Sequence, residues 1–363
     1  MTSLRVATFN VAFDRPAPGG LNRQMARGDH PQIRRVAAII QRIRPDVILL
    51  CEFDHDGEGH DRRGLDDFVR HYLGVSQEGE NPIAYDHRWL IPTNTGERLP
   101  FDLDGDGEIR PPRDCYGFGD FHGQYGMALL SRFPLVPEAI RSFRHFRWRD
   151  MPSSLLPAAL SEAACDGLRL SSKNHIDVPL QIGGQRLHLL AMHPTPPIIN
   201  EFNRRRNHDE LRLFLDYLDG APYLVDDVGV RGGVCADPFV LLGDFNADPA
   251  DGDGGRTMMQ RLLAHSRIHP ACQEAPRSTG AASLARARGH GLRGEPANWT
   301  HIRPLRLDYV LPSRECEVLG SGVFWPAVGE PGYELVVDPV GGEGKGGSSD
   351  HRLVWVDLAL AVN

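Results

Sequence analysis

The feature that most constrains the fold is a series of short apolar runs, several of which end at a polar residue. Runs of this length that are rich in β-branched residues are typical of buried strands. Strands that end in this way would deliver polar side chains to one rim of a sheet. The predicted strands cover residues 5–9, 46–51, 127–130, 187–192, 239–243, 307–311 and 353–360.

Helical spacing is present between the first two runs and again in the middle of the chain. Apolar residues at positions 33, 36, 37, 40 and 43 recur every three or four residues, and Pro45 follows them as a stop signal. A second amphipathic helix is predicted at about residues 202–218. Strands and helices that alternate around a buried sheet indicate an α/β fold.

The length and composition favour one globular domain. Large layered α/β folds often reach the 363 residues of this chain as a single unit, so we expect one domain over residues 1–363. The sequence has no apolar run long enough to cross a bilayer, which predicts that the protein does not insert into a membrane. We also expect a monomer.

Charge and cysteine usage bear on partners and location. The net charge of -8, without a Lys/Arg cluster that looks like a stripe for a long polyphosphate backbone, disfavours a dedicated nucleic-acid surface, although a bound metal could supply positive charge locally. The six cysteines lack zinc-type spacing and are either buried thiols or pairs formed after export. Because the N-terminus has no signal-peptide pattern, the chain is either cytoplasmic or the mature form of an exported protein.

Two regions are predicted to be additions to the core. Residues 94–124 are rich in Gly, Asp and Pro, and residues 341–349 read GGEGKGGSS, which predicts a flexible loop. The second region ends directly before Asp350 and His351. We therefore expect this loop to border any site that these two residues form.

The string LLGDFNADP is the most informative motif in the chain. A predicted strand stops at Gly243, and Asp244 and Asn246 then lie on the same side of an extended backbone. The carboxylate could orient or deprotonate a water molecule, while the amide could hydrogen-bond an oxygen that gains charge in a transition state. The alternative is that Asp and Asn only close a turn after the strand.

The string SSDHRLVWVDL places Asp350 and His351 at the entrance of a predicted strand. Histidine is the side chain best suited to exchange a proton or to stabilise a phosphoryl oxygen near neutral pH. An isolated Asp-His pair is more typical of a surface turn. The functional interpretation therefore depends on the other polar residues that follow strands.

Four such residues complete the candidate set. Asn10 and Glu52 each follow an apolar strand, and their oxygens suit a hard divalent ion such as Mg²⁺. His193 ends a strand before a proline-rich turn, and Asp308 could hold an imidazole in one tautomer. Either of the last two residues, taken alone, is more typical of a structural role.

The order of these residues along the chain resembles that of the endonuclease/exonuclease/phosphatase superfamily, and the match runs from Val6 to Val356. This superfamily includes pancreatic deoxyribonuclease, apurinic endonucleases, inositol polyphosphate phosphatases and neutral sphingomyelinases. The resemblance implies a four-layer αββα sandwich, in which two mixed β-sheets pack face to face with helices outside.

The resemblance also implies which residues bind metal. Asn10 and Glu52 would hold Mg²⁺ or Mn²⁺, and Asp350 could join a second metal position. Several nucleases of the superfamily have an aspartate two residues after the first Asn, where this chain has Ala12. The number of metal ions is therefore open.

Catalytic roles follow in the same way from the resemblance. Asp244 would activate water, Asn246 and His193 would contact the phosphate, and His351 would pair with Asp308. Together these roles imply direct attack of metal-activated water on a phosphoric ester, with no covalent enzyme intermediate.

A separate string, FDLDGDGEI, resembles the first half of an EF-hand calcium loop. Its three alternating aspartates and the following glycine are Asp102, Asp104, Asp106 and Gly107. The twelfth position holds Arg113 instead of a glutamate, so the loop is complete only if Glu108 or Asp114 compensates. Calcium binding and a solvated acidic turn both remain open.

Three further residues are candidates for contact with substrate. Lys173 and His175 precede an apolar strand and could reach a phosphate, or they could be ordinary solvated residues. The segment from Gly117 to Arg132 resembles a bacterial, often exported, phosphatase-like subgroup of the superfamily. Within it, Tyr125 could line the substrate pocket or could fold the insert onto the core.

We therefore predict a metal-dependent hydrolase of phosphoric esters, and favour a small or lipid-like phosphodiester or phosphomonoester. The alternative substrate is DNA or RNA, cut by an endonuclease or exonuclease activity. An alternative of a different class is a non-catalytic binding protein on the same fold. This last alternative is disfavoured because every position of the candidate set carries a competent side chain.

Overall fold

The apolar runs form the strands of two mixed β-sheets. The computed structural model describes residues 2–234, 236–288, 291–337 and 347–360. Its strands are β1 (Thr2–Phe13), β2 (Val47–Phe53), β3 (His87–Ile91), β4 (Met127–Ser131), β5 (Arg141–Ser142), β6 (His175–Ile182), β7 (Gln185–Met192), β8 (Phe239–Asp244), β9 (Asp308–Pro312), β10 (Cys316–Val323) and β11 (Val354–Leu360).

Within the described residues, the first sheet has six strands in the order β10-β11-β1-β2-β4-β3, and the second has five in the order β5-β6-β7-β8-β9. Parallel pairing joins β1 to β2 and β7 to β8, and the other neighbours are antiparallel. Strand β1 lies against β8 and β9, so the two sheets face each other.

Helices connect these strands. They are α1 (Gly20–Arg27), α2 (Pro31–Ile43), α3 (Arg63–Phe68), α4 (Glu162–Gly167), α5 (Glu201–Leu218), α6 (Arg256–Leu263), α7 (Thr279–Arg288) and α8 (Tyr333–Val336). A π-helical turn, Val69–Leu73, extends α3, and short 3₁₀ turns lie at Pro137–Ala139, Trp148–Asp150, Pro270–Gln273 and Pro296–Asn298.

The alternation along β8 shows that the second sheet is buried on both faces. Val240 and Leu242 belong to the apolar layer that also contains residues of β1 and β2. Leu241, between them, packs in a separate cluster with Leu211 and Phe214 of α5. The fold is therefore an α/β sandwich of two facing sheets with flanking helices, as the sequence predicts.

The predicted strands correspond to β1, β2, β4, β7, β8, β9 and β11, and the two predicted helices correspond to α2 and α5. These predictions are confirmed, with shifts of a few residues at the ends. Strands β3, β5 and β10 were not predicted from the sequence. Each is an edge strand with partly exposed residues, so its apolar pattern is weak.

The predicted insert, residues 94–124, is anchored to the rest of the chain. Bridges between Thr95 and Gly117 and between Arg98 and Cys115 hold its two ends together. Leu99 and Phe101 pack against the α4 region. Most of the predicted glycine-rich loop, residues 341–346, lies outside the described residues.

Two further sequence observations can be compared with the structure. The cysteines at 51, 115, 165, 272 and 316 are free thiols, and Cys235 lies outside the described residues. Among the described helices, none combines the length and the apolar character needed to cross a membrane.

Candidate active site

The second sheet brings three of the predicted residues to one end of its strands. His193 directly follows β7, Asp244 ends β8 and Asp308 begins β9. The parallel pairing of Ala191 with Leu242 sets His193 beside Asp244, and the antiparallel pairing places Asp244 opposite Asp308. The three side chains therefore form a row along one rim.

The first sheet brings further predicted residues to the same rim. Asn10 lies in β1, and Glu52 is the penultimate residue of the adjacent strand β2. His351 precedes β11, and the Ser349 hydroxyl donates a hydrogen bond to the Asn10 carbonyl at 2.7 Å. Asn10 Nδ2 donates to Asp244 Oδ2 at 3.0 Å. This contact joins the residues of the first sheet to the row on the second sheet.

The backbone at this rim is unusual. Ala12, Glu52 and Asn246 have φ angles of 50°, 57° and 51°, in the left-handed region that side chains disfavour. Gly243 has a φ of 143°, and a Cβ there would lie 1.9 Å from the Met192 carbonyl oxygen, so only glycine fits. Strained backbone of this kind is common at functional sites, where contacts with the surrounding structure stabilise it.

His351 is held between two carboxylates. Its Nδ1 lies 2.9 Å from Asp308 Oδ2, and its Nε2 lies 3.7 Å from Asp244 Oδ2. The Thr300 hydroxyl donates to the same Asp308 oxygen at 2.7 Å. Burial opposes a charge on the ring, but Asp308 and Asp244 outweigh it and raise the pKa of His351 to about 10. The ring is therefore an imidazolium at neutral pH.

Asp244 is the buried centre of the site. Its Oδ1 accepts the Asn246 backbone N–H at 2.9 Å, and its Oδ2 lies 3.4 Å from His193 Nε2. Burial raises the pKa of Asp244, although the charge on His351 and the hydrogen bond from Asn10 act in the opposite direction. A buried carboxylate of this kind is a stronger base than one in water.

His193 and Asn246 flank this carboxylate. Burial holds the pKa of His193 well below its usual range, and the charges of Lys173 and His351 add to this effect. The buried His193 Nδ1 has no hydrogen-bond partner among the described residues. Asn246 Nδ2 donates to the Pro194 carbonyl at 3.1 Å, which leaves a second amide hydrogen for a ligand.

The predicted metal-binding residues form a chemically suitable set. The oxygens of Asn10, Glu52 and Asp350 are the ligand types that a hard divalent cation prefers. Burial raises the pKa of the Cys51 thiol, and the charges of Asp244, Asp308 and Glu52 act in the same direction, so all three carboxylates act on this one buried group. Such a concentration of buried negative charge fits a divalent cation.

Asp350 sits at one side of this set. Its Oδ2 lies 3.6 Å from His301 Nε2, and His301, Asp350 and His351 are close enough to share an ion. The adjacent Ser349 is the residue that binds the Asn10 carbonyl, so Asp350 is tied to β1.

The two residues predicted near a phosphate have different surroundings. His175 belongs to the core, where Nδ1 lies 2.6 Å from the Ser171 hydroxyl and Nε2 lies 2.9 Å from the Glu210 carbonyl. Lys173 is also buried, and the pairing of His175 with Met192 sets it across from the turn that follows His193. The backbone of Lys173 thus lies beside the rim, whereas the His175 ring is bonded within the core.

Tyr125 lies at the end of the predicted insert. Its backbone N–H donates to Asp54 Oδ1 at 2.9 Å, and its φ is 58°. Since Phe53 N–H donates to the carbonyl of Gly126, Tyr125 is next to the end of β2 and therefore close to Glu52. Contact between Tyr125 and the substrate remains a prediction.

The predicted calcium loop gathers its acidic residues, but arginines partly neutralise them. Oxygens of Asp102, Asp104 and Asp106 lie within 4.8 Å of one another. Asp102 also accepts the N–H groups of Gly105 and Gly107, at 2.7 and 2.8 Å. Arg110 pairs with Asp106 at 2.9 Å and Arg113 with Asp104 at 3.6 Å.

Two residues of the rim were missed by sequence reasoning. The ring of His301 packs edge-on against His351, with centroids 4.5 Å apart, and Thr300 binds Asp308. Both lie in the loop before β9, and the residue pattern of this loop does not indicate that the chain returns to the site. In the structure, an isolated β-bridge pairs His301 with His351 and holds the loop there.

Helix α5 contributes two more residues, which hold the loops of the rim. Asn207 Nδ2 donates to the carbonyls of Thr195 and Phe245, at 3.0 and 3.1 Å. Glu210 accepts the N–H groups of Ser172 and Thr195, at 2.7 and 2.6 Å. Their sequence signal is a set of polar residues on the buried face of a predicted helix, which calls for polar partners.

Comparison with known proteins assigns the chain to a family. The model of the endonuclease/exonuclease/phosphatase family matches residues 7–351. The chain belongs to this family. Its members are metal-dependent hydrolases that cleave phosphoester bonds, and this enzyme class is therefore assigned to the chain. None of the curated proteins matches the sequence.

Solved structures of the family support the fold. An endonuclease/exonuclease/phosphatase from Beutenbergia cavernae DSM 12333 superposes with a TM-score of 0.55 and 20% identity, covering 99% of this chain and 72% of that chain. A second, from Bacteroides vulgatus, has a TM-score of 0.50 and 15% identity, covering 99% of this chain and 100% of that chain. At these identities the likeness supports the fold alone.

Proposed function

We propose that this family member, as one catalytic domain, hydrolyses a small or lipid-like phosphodiester or phosphomonoester at the rim around Asp244. One arrangement supports the proposal above all others. The Asp244 carboxylate lies 3.4 Å from the His193 ring and 3.7 Å from the His351 ring, while Asp308 holds the opposite nitrogen of His351.

In this proposal Asp244 is the general base. It accepts the proton of the attacking water, and burial favours this step because it raises the pKa of the carboxyl group. Hydrogen bonds from Asn10 and Asn246 fix the orientation of the carboxylate, at 3.0 and 2.9 Å. As the new P–O bond forms, the ester P–O bond breaks and the leaving oxygen takes up a proton and departs as an alcohol. The other product is free phosphate or a phosphomonoester, with no bond to the enzyme.

His351 stabilises the charge that develops on the phosphoryl oxygens. As an imidazolium it donates from Nε2, and Asp308 keeps the ring in one orientation through Nδ1. His193 stays neutral and, together with the second amide hydrogen of Asn246, can hydrogen-bond an oxygen of the phosphate.

We propose Mg²⁺ or Mn²⁺ as the ion, held by Asn10 and Glu52, with Asp350 at one side. When bound, the ion supplies positive charge that polarises the phosphoryl group and lowers the pKa of water. Asn10 Oδ1 accepts the Ala12 N–H at 3.1 Å and still has a lone pair for this role. Its amide nitrogen meanwhile binds Asp244.

The preference for a small substrate rests on charge. Arg144, near the insert, pairs with Glu58 at 2.6 Å and with Glu97 at 3.0 Å, and Arg169 pairs with Glu97 at 2.7 Å. These guanidinium groups are therefore less available for a polyphosphate backbone. The net charge of -8 disfavours long nucleic acids in the same way.

The test compares hydrolysis of bis-p-nitrophenyl phosphate, p-nitrophenyl phosphate and supercoiled plasmid, with Mg²⁺, Mn²⁺ and Ca²⁺ in turn. We expect turnover of a nitrophenyl ester with Mg²⁺ or Mn²⁺, and little cleavage of plasmid. Asp244→Ala is the control and should abolish the activity. Plasmid cleavage at low enzyme concentration would favour the nuclease alternative, and full activity of Asp244→Ala would disprove the proposed mechanism.

A second proposed ion is Ca²⁺, in the loop that contains Asp102, Asp104 and Asp106. Its support is the proximity of the three carboxylates, to which Glu108 could add a ligand. Since Glu108 pairs with Arg110 at 2.6 Å, binding of Ca²⁺ would require this ion pair to open.

A further inference from the structure

Lys173 is a buried cation beside the catalytic row. Strand β6 begins at His175, which pairs with Met192 in β7, so Lys173 lies across from the turn that follows His193. Lys173 is 6% exposed. The charges of Glu210, Glu52 and Asp244 act on its ammonium group, and its own charge lowers the pKa of His193. The strand pairing therefore sets Lys173 beside the rim, and these interactions agree with that position.

The Lys173 ammonium group does not use its hydrogen-bond donors on other described residues. Within the part of the chain that the structure describes, Lys173 Nζ forms no hydrogen bond and no ion pair. A buried ammonium ordinarily needs such partners, because burial without them carries a large desolvation cost. Its hydrogen-bond donors are therefore available to a ligand in the site.

The backbone around Lys173 is fixed on both sides. Glu210 of α5 accepts from the Ser172 N–H at 2.7 Å and from the Ser172 hydroxyl at 2.8 Å. Asn174 Nδ2 donates to the Pro92 carbonyl at 3.0 Å, and the Lys173 carbonyl itself accepts the Asn94 N–H at 3.0 Å. The base of the side chain is thus held in place, as a binding residue requires.

The choice of residue is also unusual for this chain. Lys173 and Lys345 are the two lysines among 40 Lys and Arg residues. An ammonium is a compact point charge, whereas a guanidinium is a planar fork that needs more room. A single oxygen of a phosphoryl group is the kind of ligand that a compact point charge suits.

We propose that Lys173 binds a non-bridging oxygen of the phosphoryl group and provides a fixed positive charge in addition to the divalent cation. This inference rests on the proposed function, since it assigns a phosphoryl group to the rim around Asp244. It adds a contact from the β6 side of the rim, opposite the side that His351 occupies.

The experiment measures binding of inorganic phosphate by calorimetry, with and without Mg²⁺, to wild-type enzyme and to Lys173→Met. We expect the variant to bind phosphate at least about 10-fold more weakly, because a charge-assisted hydrogen bond is lost. We also expect its kcat/KM on bis-p-nitrophenyl phosphate to fall by about 100-fold. Arg27→Met, which removes an exposed cation with a side chain 71% exposed, should leave both values unchanged.

Circular dichroism and thermal unfolding establish that each variant is folded, and Lys173→Gln replaces Lys173→Met if the latter is not. A purely structural role, in which Lys173 only balances Glu52 and Asp244, predicts tighter Mn²⁺ binding in the variant with unchanged affinity for phosphate. That result would overturn the proposal. Hydrolysis by wild-type enzyme with no effect of Lys173→Met would also reject it, while the proposed function would stand. Phosphate binding through Lys173 without any hydrolysis would reject the proposed function instead.

Discussion

Two acidic regions of this protein contain the same residue type under opposite conditions. At the rim, Asp244 and Asp308 are 1% and 0% exposed, and burial raises the pKa of Asp244. In the insert, Asp106 is exposed, and contacts with the Glu108 N–H and Arg110 lower its pKa. Water and nearby arginines compensate the charges of the insert, whereas His351 lies between the buried carboxylates of the rim.

Acidity alone therefore does not mark a catalytic site. The carboxylates of the rim are buried beside ring nitrogens that can exchange or donate protons, and their neighbours have strained backbone. The carboxylates of the insert are tied to backbone N–H groups of their own loop. Reactivity is therefore expected at the rim, and at most a structural ion in the insert.

Among the changes that test this contrast between the two regions, Asp308→Asn should have the largest effect. The change keeps the size of the side chain but removes the charge that holds His351 as an oriented imidazolium through a 2.9 Å contact. We expect kcat on the best nitrophenyl ester to fall by about 1,000-fold, as for removal of the orienting group in other acid–base sites. Steady-state kinetics with a thermal unfolding control measures it. Activity within 10-fold of wild type would mean that catalysis does not need the pairing of Asp308 with His351. This pairing would then not distinguish the carboxylates of the rim from those of the insert.

The second prediction concerns how the free energy of unfolding changes with pH through His175. Burial lowers the pKa of His175 to about 4 from an ordinary value of 6.5. Below pH 6.5 the unfolded chain binds a proton that the folded protein excludes. Stability from this group is thus fully present above pH 6.5 and is lost as the pH falls towards 4. The loss should be on the order of 3 kcal/mol.

The measurement is urea unfolding of wild type and His175→Gln across this pH range. The variant should be less stable at neutral pH, since it loses contacts with Ser171 and Glu210, but its stability should fall less steeply with acid. Parallel curves for the two proteins would contradict the prediction. The experiment also separates a buried group with a structural role from the buried groups that act in catalysis.

A smaller effect is expected for Asn207→Ala, a positioning residue outside the rim. Asn207 donates to the carbonyls of Thr195 and Phe245 and accepts the Gly255 N–H at 2.9 Å. Loss of these buried contacts should cost about 2 kcal/mol of stability. Because they hold the loops of His193 and Asn246, kcat should fall by about 10-fold with little change in KM.

Asn203→Ala, on a partly exposed turn of the same helix, is the matched control and should leave kcat unchanged. An Asn207 variant with lower stability but unaltered kcat would show that α5 supports the fold and not the geometry of the site.

Much of the fold could be predicted because the strands are continuous apolar runs, and those at the rim end beside polar residues. Asp244, Asp308 and His193 were found in this way, since adjacent strand ends meet at one edge. His301 and Thr300 could not be found, because only the tertiary return of their loop brings them to His351. Edge strands β3, β5 and β10 were missed because half-exposed strands have weak patterns.

The pair Lys173 and His175 shows a limit of local patterns. In a strand, residues two apart share a face, so both side chains would be placed in the same surroundings. Strand β6 begins only at His175, however, and Lys173 precedes it. The alternation therefore does not extend to Lys173, and the two side chains have different surroundings.

The smallest effect is expected for Asp104→Asn in the insert. Without added calcium, this exposed change should alter the free energy of unfolding by less than about 0.5 kcal/mol and leave hydrolysis unchanged. If the loop binds Ca²⁺, added calcium should raise the melting temperature of wild type, and Asp104→Asn should lose most of this rise. A rise that both proteins share would place calcium elsewhere, since Asp104 lies within 4.8 Å of the oxygens of Asp102 and Asp106. A loss of hydrolysis as large as that of Asp308→Asn would overturn the contrast itself, because the solvated carboxylates would then be part of the catalytic site.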